Sequence, residues 1–502
     1  MPTSPLTRAE ASGYLETSRH ADVMTFLHTL QERHDPRLFI TSFGSSPEGR
    51  DLPLVVLSEK PVKTPQQAVD SGLPVVLVIN GIHAGEVEGK EASLMLVRDL
   101  LDGTAGDLLQ HLVLLVVPLF NADGNERIDP NNRRLNLAAL EGQLGPDSGV
   151  GTRVNASGVN LNRDYMRQEA LEMRLLQSQV CQPWQPHLTV DCHSTNGSVH
   201  RFALTYDIPH TVHSGRTEPI EFMRREVLPI VTERTRQRAG IDCFYYGNFV
   251  TDEGGQGDGW MTYPHHPRFG SNYRGLTNRC DLLIETYSYI SFEERVSATY
   301  HFLHEVLKRV AERGRDVVQL VASSQQPRNQ VAVRYRLARF QKPVEILTRV
   351  PRTLEGAPTA VSIPHFASFV GTEVVTRPWA YAVPPEAGAA AEHVLRHGLK
   401  TRRLAQARSA SVEVARVVGT AGEGSRKILE SSHGETELQV AIEYETRTLP
   451  AGTILVETDQ PLGAVAVYLC EARSDDNLVV CGVLPAPASG EVLPVYRVVE
   501  PV

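Results

Sequence analysis

Features that mark several classes of protein are missing from these 502 residues. The 6 cysteines form no Cys-x-x-Cys pair and follow no repeating interval, which argues against a disulfide framework. No stretch of about 18 consecutive apolar residues occurs, so we expect no transmembrane helix and no membrane partner. No dense run of lysine or arginine occurs and the net charge is -9, so we expect no nucleic-acid partner.

The first 23 residues also lack the apolar core of a secretory signal. We therefore predict a cytoplasmic protein, although a chain trimmed of its leader would look the same. The sequence leaves the oligomeric state open. A hydrophobic content of 41% and a charged content of 22% are ordinary for a globular protein.

The length of the chain exceeds what one hydrophobic core usually supports, so we predict two domains. Strand-like and helix-like segments alternate up to residue 322, which indicates an α/β domain. A polar stretch at 323–330 indicates a linker. Beyond it, short alternating strands, including one at 462–469, and one helix near 387–397 predict a mostly β accessory domain at 330–502.

One segment near the beginning of the chain, Asn80 to Gly89, combines a metal-binding pattern with a strand–loop–helix pattern. It follows an apolar run ending at Ile79 and precedes an amphipathic run. His83 and Glu86 lie three residues apart in the predicted loop. An imidazole and a carboxylate there can bind one divalent metal at the carboxyl end of a strand, the usual place for a site in an α/β sheet.

Two later strands carry further candidate residues. In the run from His187 to Ser194, strand alternation places Asp191 and His193 on one face, so His193 is the third ligand candidate. The run Cys280 to Tyr287 has Glu285 near its carboxyl end, and a buried strand seldom carries an unpaired glutamate. Glu285 is therefore the candidate general base.

Two imidazoles and one carboxylate with a fourth position open for water are the pattern of a catalytic zinc site. We expect one zinc ion per chain, bound by His83, Glu86 and His193. Asp191 and Asn160 are expected to orient the ring nitrogens as hydrogen-bond acceptors. Glu285 would deprotonate the zinc-bound water and pass the proton to the leaving amine.

These residues resemble the zinc carboxypeptidase family, the carboxypeptidase A-like metallopeptidases. The resemblance covers about residues 35–313. Its motifs occur in the order of the family: Gly49-Arg50, His83-x-x-Glu86, Asn162-Arg163-Asp164, Asp191-x-His193-Ser194 and the strand that carries Glu285. The resemblance implies a mixed, mostly parallel central sheet flanked by helices, and a peptidase for substrates with a free carboxylate.

The resemblance also implies roles for binding residues. Asn162 and Arg163 correspond to the pair that grips the terminal carboxylate, for which a guanidinium fork is suited. The arginine that polarises the scissile carbonyl is Arg133 or Arg134, with Arg133 preferred.

The mobile tyrosine of the family corresponds to Tyr263 or Tyr273 within 245–279, which we interpret as a loop over the site. One departure concerns Asn160, where many family members have an aspartate that braces a zinc histidine. The bracing is therefore expected to shift to Asp191.

Three functions are consistent with these residues. The first is a metallocarboxypeptidase. The second is a deacylase of N-acyl amino acids that resembles the desuccinylase type, and the third is a binding protein that keeps the fold without turnover. The pair His265-His266 offers a second metal site, but adjacent histidines tend to point to opposite sides, which argues against it.

Overall fold

The computed structural model describes residues 4–251, 258–420 and 438–502. In chain order, the strands of the first half are β1 (Leu38–Ser45), β2 (Asp51–Leu57), β3 (Val75–Asn80), β4 (Val113–Val117), β5 (Leu188–Thr195), β6 (Leu204–Asp207), β7 (Cys243–Tyr245), β8 (Asn248–Thr251), β9 (Asp258–Met261) and β10 (Cys280–Tyr287).

The helices of the first half are α1 (Arg8–Ala11), α2 (His20–Gln31), α3 (Pro65–Asp70), α4 (Glu88–Asp102), α5 (Ala122–Glu126), α6 (Leu171–Leu175), α7 (Gln182–Trp184), α8 (Glu218–Phe222), α9 (Leu228–Ala239), α10 (Gly270–Leu276), α11 (Phe292–Glu312) and α12 (Gly314–Ser323). Short 3₁₀ turns lie at Leu108–Gln110 and Leu161–Arg163, and π-helical segments at Leu176–Cys181 and Met223–Val227.

A mixed central sheet organises the first half, with the strand order β1-β2-β4-β3-β5-β10-β6-β7. Its middle strands β4, β3, β5 and β10 are parallel, while β1, β2 and β6 join antiparallel to their neighbours on the inner side. Strands β3 and β4 are buried along their whole length, as expected for strands covered on both faces. The predicted α/β class with a mixed sheet flanked by helices is confirmed.

Helix α4 packs unusually close to the middle of this sheet. A Cβ atom on Gly89 would lie 2.6 Å from Cβ of Cys192 on β5 and 2.8 Å from Oδ1 of Asn80 at the end of β3. Only glycine permits this approach. The helix therefore begins directly behind the loop that carries His83 and Glu86.

The second half is rich in strands, as predicted. Its elements are β11 (Gln330–Arg339), β12 (Val344–Val350), β13 (Ala357–Ile363), β14 (His365–Thr376), β15 (Ala380–Val383), β16 (Thr401–Arg403), β17 (Arg408–Thr420), β18 (Leu438–Leu449), β19 (Ile454–Glu457), β20 (Tyr496–Val498), α13 (Gly388–Arg396), α14 (Gly463–Cys470) and a 3₁₀ turn at Pro385–Ala387. One sheet has the order β16-β19-β15-β20-β17-β18, and β12 pairs with β13.

The segment 245–279, interpreted from sequence as a loop, contains β8, β9 and α10. Strand β9 pairs with β14, so that β11, β14, β9 and β8 form one sheet with strands from both halves of the chain. Residues 252–257 of the segment lie outside the described residues. Strands from both sides of the boundary predicted at 322–330 thus belong to this one sheet. The division into two domains stays a prediction.

Helix α13 and the residue that follows it, His397, provide a second contact between the halves. Nε2 of His393 and Nε2 of His397 both lie within hydrogen-bonding distance of the carbonyl oxygen of Met166, at 2.9 and 3.1 Å. Met166 follows the Asn162-Arg163-Asp164 motif by two residues. The second half is therefore attached directly behind the predicted carboxylate clamp.

One predicted strand is wrong, because residues 463–470 form α14 rather than a strand. Every residue of α14 is buried, so its sequence shows no polar face and therefore no helical periodicity. In the described part of the chain, no helix is both long and apolar enough to cross a membrane.

Trp260 on β9 provides a test of the shared sheet. Its side chain is 0% exposed, its ring lies 5.2 Å from that of Phe249, and its Nε1 donates to the carbonyl oxygen of Tyr245 at 3.0 Å. We expect Trp260→Ala to lower the free energy of unfolding by about 3–5 kcal/mol through the cavity it leaves. Chemical denaturation measures the change, with Val370→Ala on the exposed face of β14 as the control. Equal stabilities of the two variants would contradict the assignment.

Candidate active site

The predicted metal ligands converge at the carboxyl ends of two adjacent parallel strands. Strand β3 ends at Asn80, which lies opposite Cys192 of β5, and His83 and Glu86 follow in the loop. Gly81 has a φ of 68°, which allows the tight turn out of the strand. His193 is the next residue of β5, and its neighbour across the sheet is Glu285 of β10.

The donor atoms of His83, Glu86 and His193 all lie within 4.8 Å of one another. Nδ1 of His83 is 3.1 Å from Oε1 of Glu86, and Nδ1 of His193 is 2.9 Å from Oε2. Each of the three side chains is at most 4% exposed. The three predicted ligands therefore form one buried cluster.

An oxygen atom lies close to Nε2 on the far side of each ring. Nε2 of His83 lies 3.0 Å from Oδ1 of Asn160, and Nε2 of His193 lies 3.1 Å from Oδ1 of Asp191. A neutral ring that donates from Nε2 presents a lone pair on Nδ1. The Nδ1 lone pairs of both rings would then face the carboxylate of Glu86. These groups repel one another unless a cation lies among them. The residues present thus fit a zinc ion.

The electrostatics differ between the two rings, because His83 is neutral whereas His193 holds a proton that a bound metal ion would displace. Burial lowers the pKa of His83 to about 4. Burial alone would also lower the pKa of His193, but the charges of Asp191 and Glu86 raise it well above its usual value. Burial would raise the pKa of Glu86, but the charges of His83 and Arg133 hold it well below its usual value. Glu86 is therefore a carboxylate, the form that binds a metal.

Asp191 is itself held by a buried arginine. Nη2 of Arg274 on α10 donates to Oδ2 of Asp191 at 2.9 Å, and Nε of the same guanidinium donates to Asp281 on β10. Both carboxylates are compensated by this one guanidinium. The orientation of His193 therefore depends on a chain of contacts that reaches α10.

The two candidate arginines differ in position. Arg133, with a φ of 51°, donates from Nη1 to Oε1 of Glu86 at 2.9 Å and from Nε to Gln143 at 2.7 Å. The next residue, Arg134, is exposed and does not line the cavity. Arg153, which the sequence analysis missed, has Nη1 3.2 Å from Nδ1 of His83. No local pattern distinguishes Arg153 from other loop arginines.

The predicted carboxylate clamp lies beside the metal cluster. Oδ1 of Asn162 accepts a hydrogen bond from the backbone N–H of Gly270 at 2.9 Å. Nη1 of Arg163 donates to the carbonyl oxygen of Asn162 at 2.8 Å, and its guanidinium carbon lies 3.8 Å from the centre of the Phe269 ring. Stacking on Phe269 orients the guanidinium fork.

The structure separates the two candidate tyrosines. Tyr263 lines the cavity of the metal cluster. Tyr273 on α10 lines a different cavity, of about 320 Å³, and its hydroxyl bonds Nδ1 of His397 at 2.8 Å. Its placement does not support the predicted contact with substrate, because α10 directs it towards α13. Tyr246, which the sequence analysis missed, also lines the cavity of the metal cluster.

One cavity of about 470 Å³ joins these groups. It is lined by His83, Glu86, Arg133, Arg153, Asn162, Arg163, Tyr246, Tyr263, Phe269 and Glu285. Burial, together with the charge of Glu86, raises the pKa of Glu285 to about 8, and burial and the charge of Glu285 raise that of Tyr246 to about 12. A candidate metal site, a carboxyl group that exchanges protons near neutral pH and three arginines thus share one cavity.

Comparisons with known proteins find similarity to zinc carboxypeptidases. Residues 23–193 match the family model described as zinc carboxypeptidase. "Carboxypeptidase 2" of Trichophyton tonsurans is 22% identical over 515 residues, which cover 99% of this chain and 90% of that protein. A "Zinc carboxypeptidase" of Saccharothrix mutabilis subsp. capreolus is 30% identical over 120 residues, which cover 23% of this chain and 26% of that protein.

Two solved structures are also similar. The metallo-carboxypeptidase from Burkholderia cenocepacia has 16% identity and a TM-score of 0.41, covering 58% of this chain and 68% of that one. The metallo-carboxypeptidase from Pseudomonas aeruginosa in complex with (2-guanidinoethylmercapto)succinic acid has 19% identity and a TM-score of 0.39, covering 59% and 69%.

Residues 23–193 are therefore similar to a zinc carboxypeptidase domain, as the ordered motifs predict, and the comparisons support a metallocarboxypeptidase hydrolase. The matched segment contains His83 and Glu86 and ends at His193, whereas Glu285 lies beyond it.

The contact between Asp191 and His193 yields a testable expectation for metal affinity. Asp191→Asn removes the charge behind Nε2 of His193, and loss of such an outer partner typically weakens metal affinity by about 10- to 100-fold. Competition with a chromophoric chelator measures the affinity, and circular dichroism checks the fold. Asp459→Asn, at a side chain that is 74% exposed, is the control. Unchanged affinity in a folded Asp191→Asn protein would contradict the role of Asp191.

Proposed function

We propose that this protein removes the C-terminal residue from peptides with a free carboxylate. The observation that carries the proposal is that Asn162 and Arg163 line the same cavity as the metal cluster and Glu285. A guanidinium fork pairs well with a planar carboxylate. A substrate anchored there by its terminal carboxylate places its last peptide bond near the cluster.

His83, Glu86 and His193 would hold the zinc ion. When bound, zinc supplies Lewis-acid chemistry that activates water and polarises a carbonyl group. Glu285 accepts a proton from the attacking water and delivers it to the nitrogen of the departing amino acid. Its neighbour across the sheet is His193, so this carboxyl group lies at the same strand ends as the ligands.

Arg133 and Arg153 stabilise the negative charge that develops on the scissile carbonyl oxygen. Both guanidinium groups line the cavity, and each lies within 3.2 Å of a metal-ligand side chain. Fixed cations in a partly buried site act without reorganising during the reaction. Tyr263 and Phe269 form an aromatic wall beside Arg163, with their ring centres 5.6 Å apart.

Paired peptides test the proposed substrate. We expect stepwise loss of C-terminal residues from free-acid peptides, no cleavage of the same peptides with an amidated C-terminus, and no activity after treatment with a chelator. Mass spectrometry of the digest measures all three. Glu285→Gln serves as the matched inactive variant, with kcat lower by about 10²- to 10⁴-fold because the proton acceptor is lost.

The competing functions predict different outcomes of this experiment. Equal cleavage of amidated and free-acid peptides would contradict the proposed binding of the terminal carboxylate by Asn162 and Arg163. Hydrolysis of N-acyl amino acids without cleavage of peptides would show a deacylase. Peptide binding without turnover, unchanged in Glu285→Gln, would show a binding protein.

Three arginines provide a matched set of variants that tests how the developing negative charge on the carbonyl oxygen is stabilised. We expect Arg133→Met and Arg153→Met each to lower kcat by about 10²- to 10³-fold, because a donor to the transition state is lost. Arg134→Met should leave kcat unchanged, since Arg134 is exposed outside the cavity. Steady-state kinetics on one free-acid peptide, with zinc content measured in parallel, separates loss of catalysis from loss of metal. Wild-type kcat in both cavity variants would contradict the role.

A further inference from the structure

A second cluster of metal-binding side chains joins the two halves of the chain. His265 and His266 lie between β9 and α10, and Asp475 lies after α14. One donor atom from each lies within 4.8 Å of the others. Nε2 of His265 is 2.7 Å from Oδ2 of Asp475 across a sequence separation of 210 residues.

The expectation that His265 and His266 point to opposite sides is wrong. Alternation of side chains applies to extended strands, and β9 ends at Met261. The two imidazole rings are stacked, with their centres 4.4 Å apart and an angle of 22° between their planes. Both rings therefore face the same side, and Asp475 lies there.

Two buried polar atoms in this cluster have no hydrogen-bond partner, namely Oδ1 of Asp475 and Nδ1 of His266. The Asp475 side chain is 6% exposed. Burying a donor or acceptor without a partner is unfavourable, and more so when the group is charged. A cation bound by the carboxylate and the imidazole rings would provide a partner for the atoms that have none.

The charges around the cluster leave Asp475 available as a ligand. Arg268 is engaged by the neighbouring Asp476, to which its backbone N–H and its Nε each donate at 2.8 Å. Arg334 acts on Asp475 through its charge and donates from Nε to the carbonyl oxygen of Arg473 at 2.7 Å. A bound metal ion would therefore share Asp475 with the charge of Arg334.

We propose that His265, His266 and Asp475 form a second binding site, for a divalent transition-metal ion of the zinc type. Two imidazoles and one carboxylate are the donor set that zinc takes in proteins. Because the ligands come from both halves of the chain, the ion cross-links the segment before α10 to the segment after α14. The protein then holds two zinc ions per chain rather than the one expected from sequence.

Metal stoichiometry tests this proposal independently of catalysis. The full-length protein is stripped with a chelator, titrated with Zn²⁺ and Co²⁺, and analysed by native mass spectrometry. We expect two equivalents in the wild type and one in His266→Gln, which leaves the pair of His265 and Asp475 in place. His83→Gln should lose the other equivalent, and His111→Gln, at an exposed histidine, should keep both.

A second pair of measurements guards against a folding defect. Asp475→Asn has nearly the same size as the native side chain, and we expect it also to bind one equivalent. Zn²⁺ should raise the thermal midpoint of the stripped His83→Gln protein, whose second site is intact, and should not raise that of a His83→Gln/His266→Gln protein.

One equivalent in the wild type, lost in His83→Gln and kept in His266→Gln and Asp475→Asn, would overturn the second site. That result would leave the proposed peptidase function standing. Two equivalents together with no cleavage of free-acid peptides would support the second site and contradict the peptidase proposal instead.

Discussion

The carboxylate of Glu86, placed between Nδ1 of His83 and Nδ1 of His193, is the arrangement on which the rest of the site depends. Burial of such groups is unfavourable unless each charge and each polar atom has a partner. Asn160 and Asp191 supply partners on the far side of the rings, and Arg274 compensates Asp191. The parallel pairing of β3 with β5 brings the ligands of different segments together.

The parts of the site that were predicted from sequence are those with local signals. His83 and Glu86 follow an apolar strand, and His193 and Glu285 lie near the carboxyl ends of two others, so the alternation and the burial of each run locate the side chain. Parallel packing of the strands then brings these ends to one edge of the sheet. Asn160 was also predicted as an acceptor, and its oxygen lies 3.0 Å from His83.

The parts that were missed depend on partners distant in the chain. Arg153 resembles any polar loop residue until the loop folds back onto His83. Strand β9 was interpreted as loop because its partner, β14, lies about 100 residues later, and α14 was interpreted as a strand because burial on every side removes its periodicity. The approach of Asp475 to His265 likewise has no signature in either segment.

The pairing of β9 with β14 constrains the order of events during biosynthesis. Trp260 lies opposite His365, and Tyr263 of the cavity wall lies two residues after the end of β9. At typical translation rates of about 5–20 residues per second, the ribosome needs roughly 5–20 s to reach β14 after completing β9. During that interval all the metal ligands of the first cluster already exist, yet one wall of the cavity lacks its support. The cavity wall therefore gains this support only after β14 has been synthesised, about 100 residues after β9.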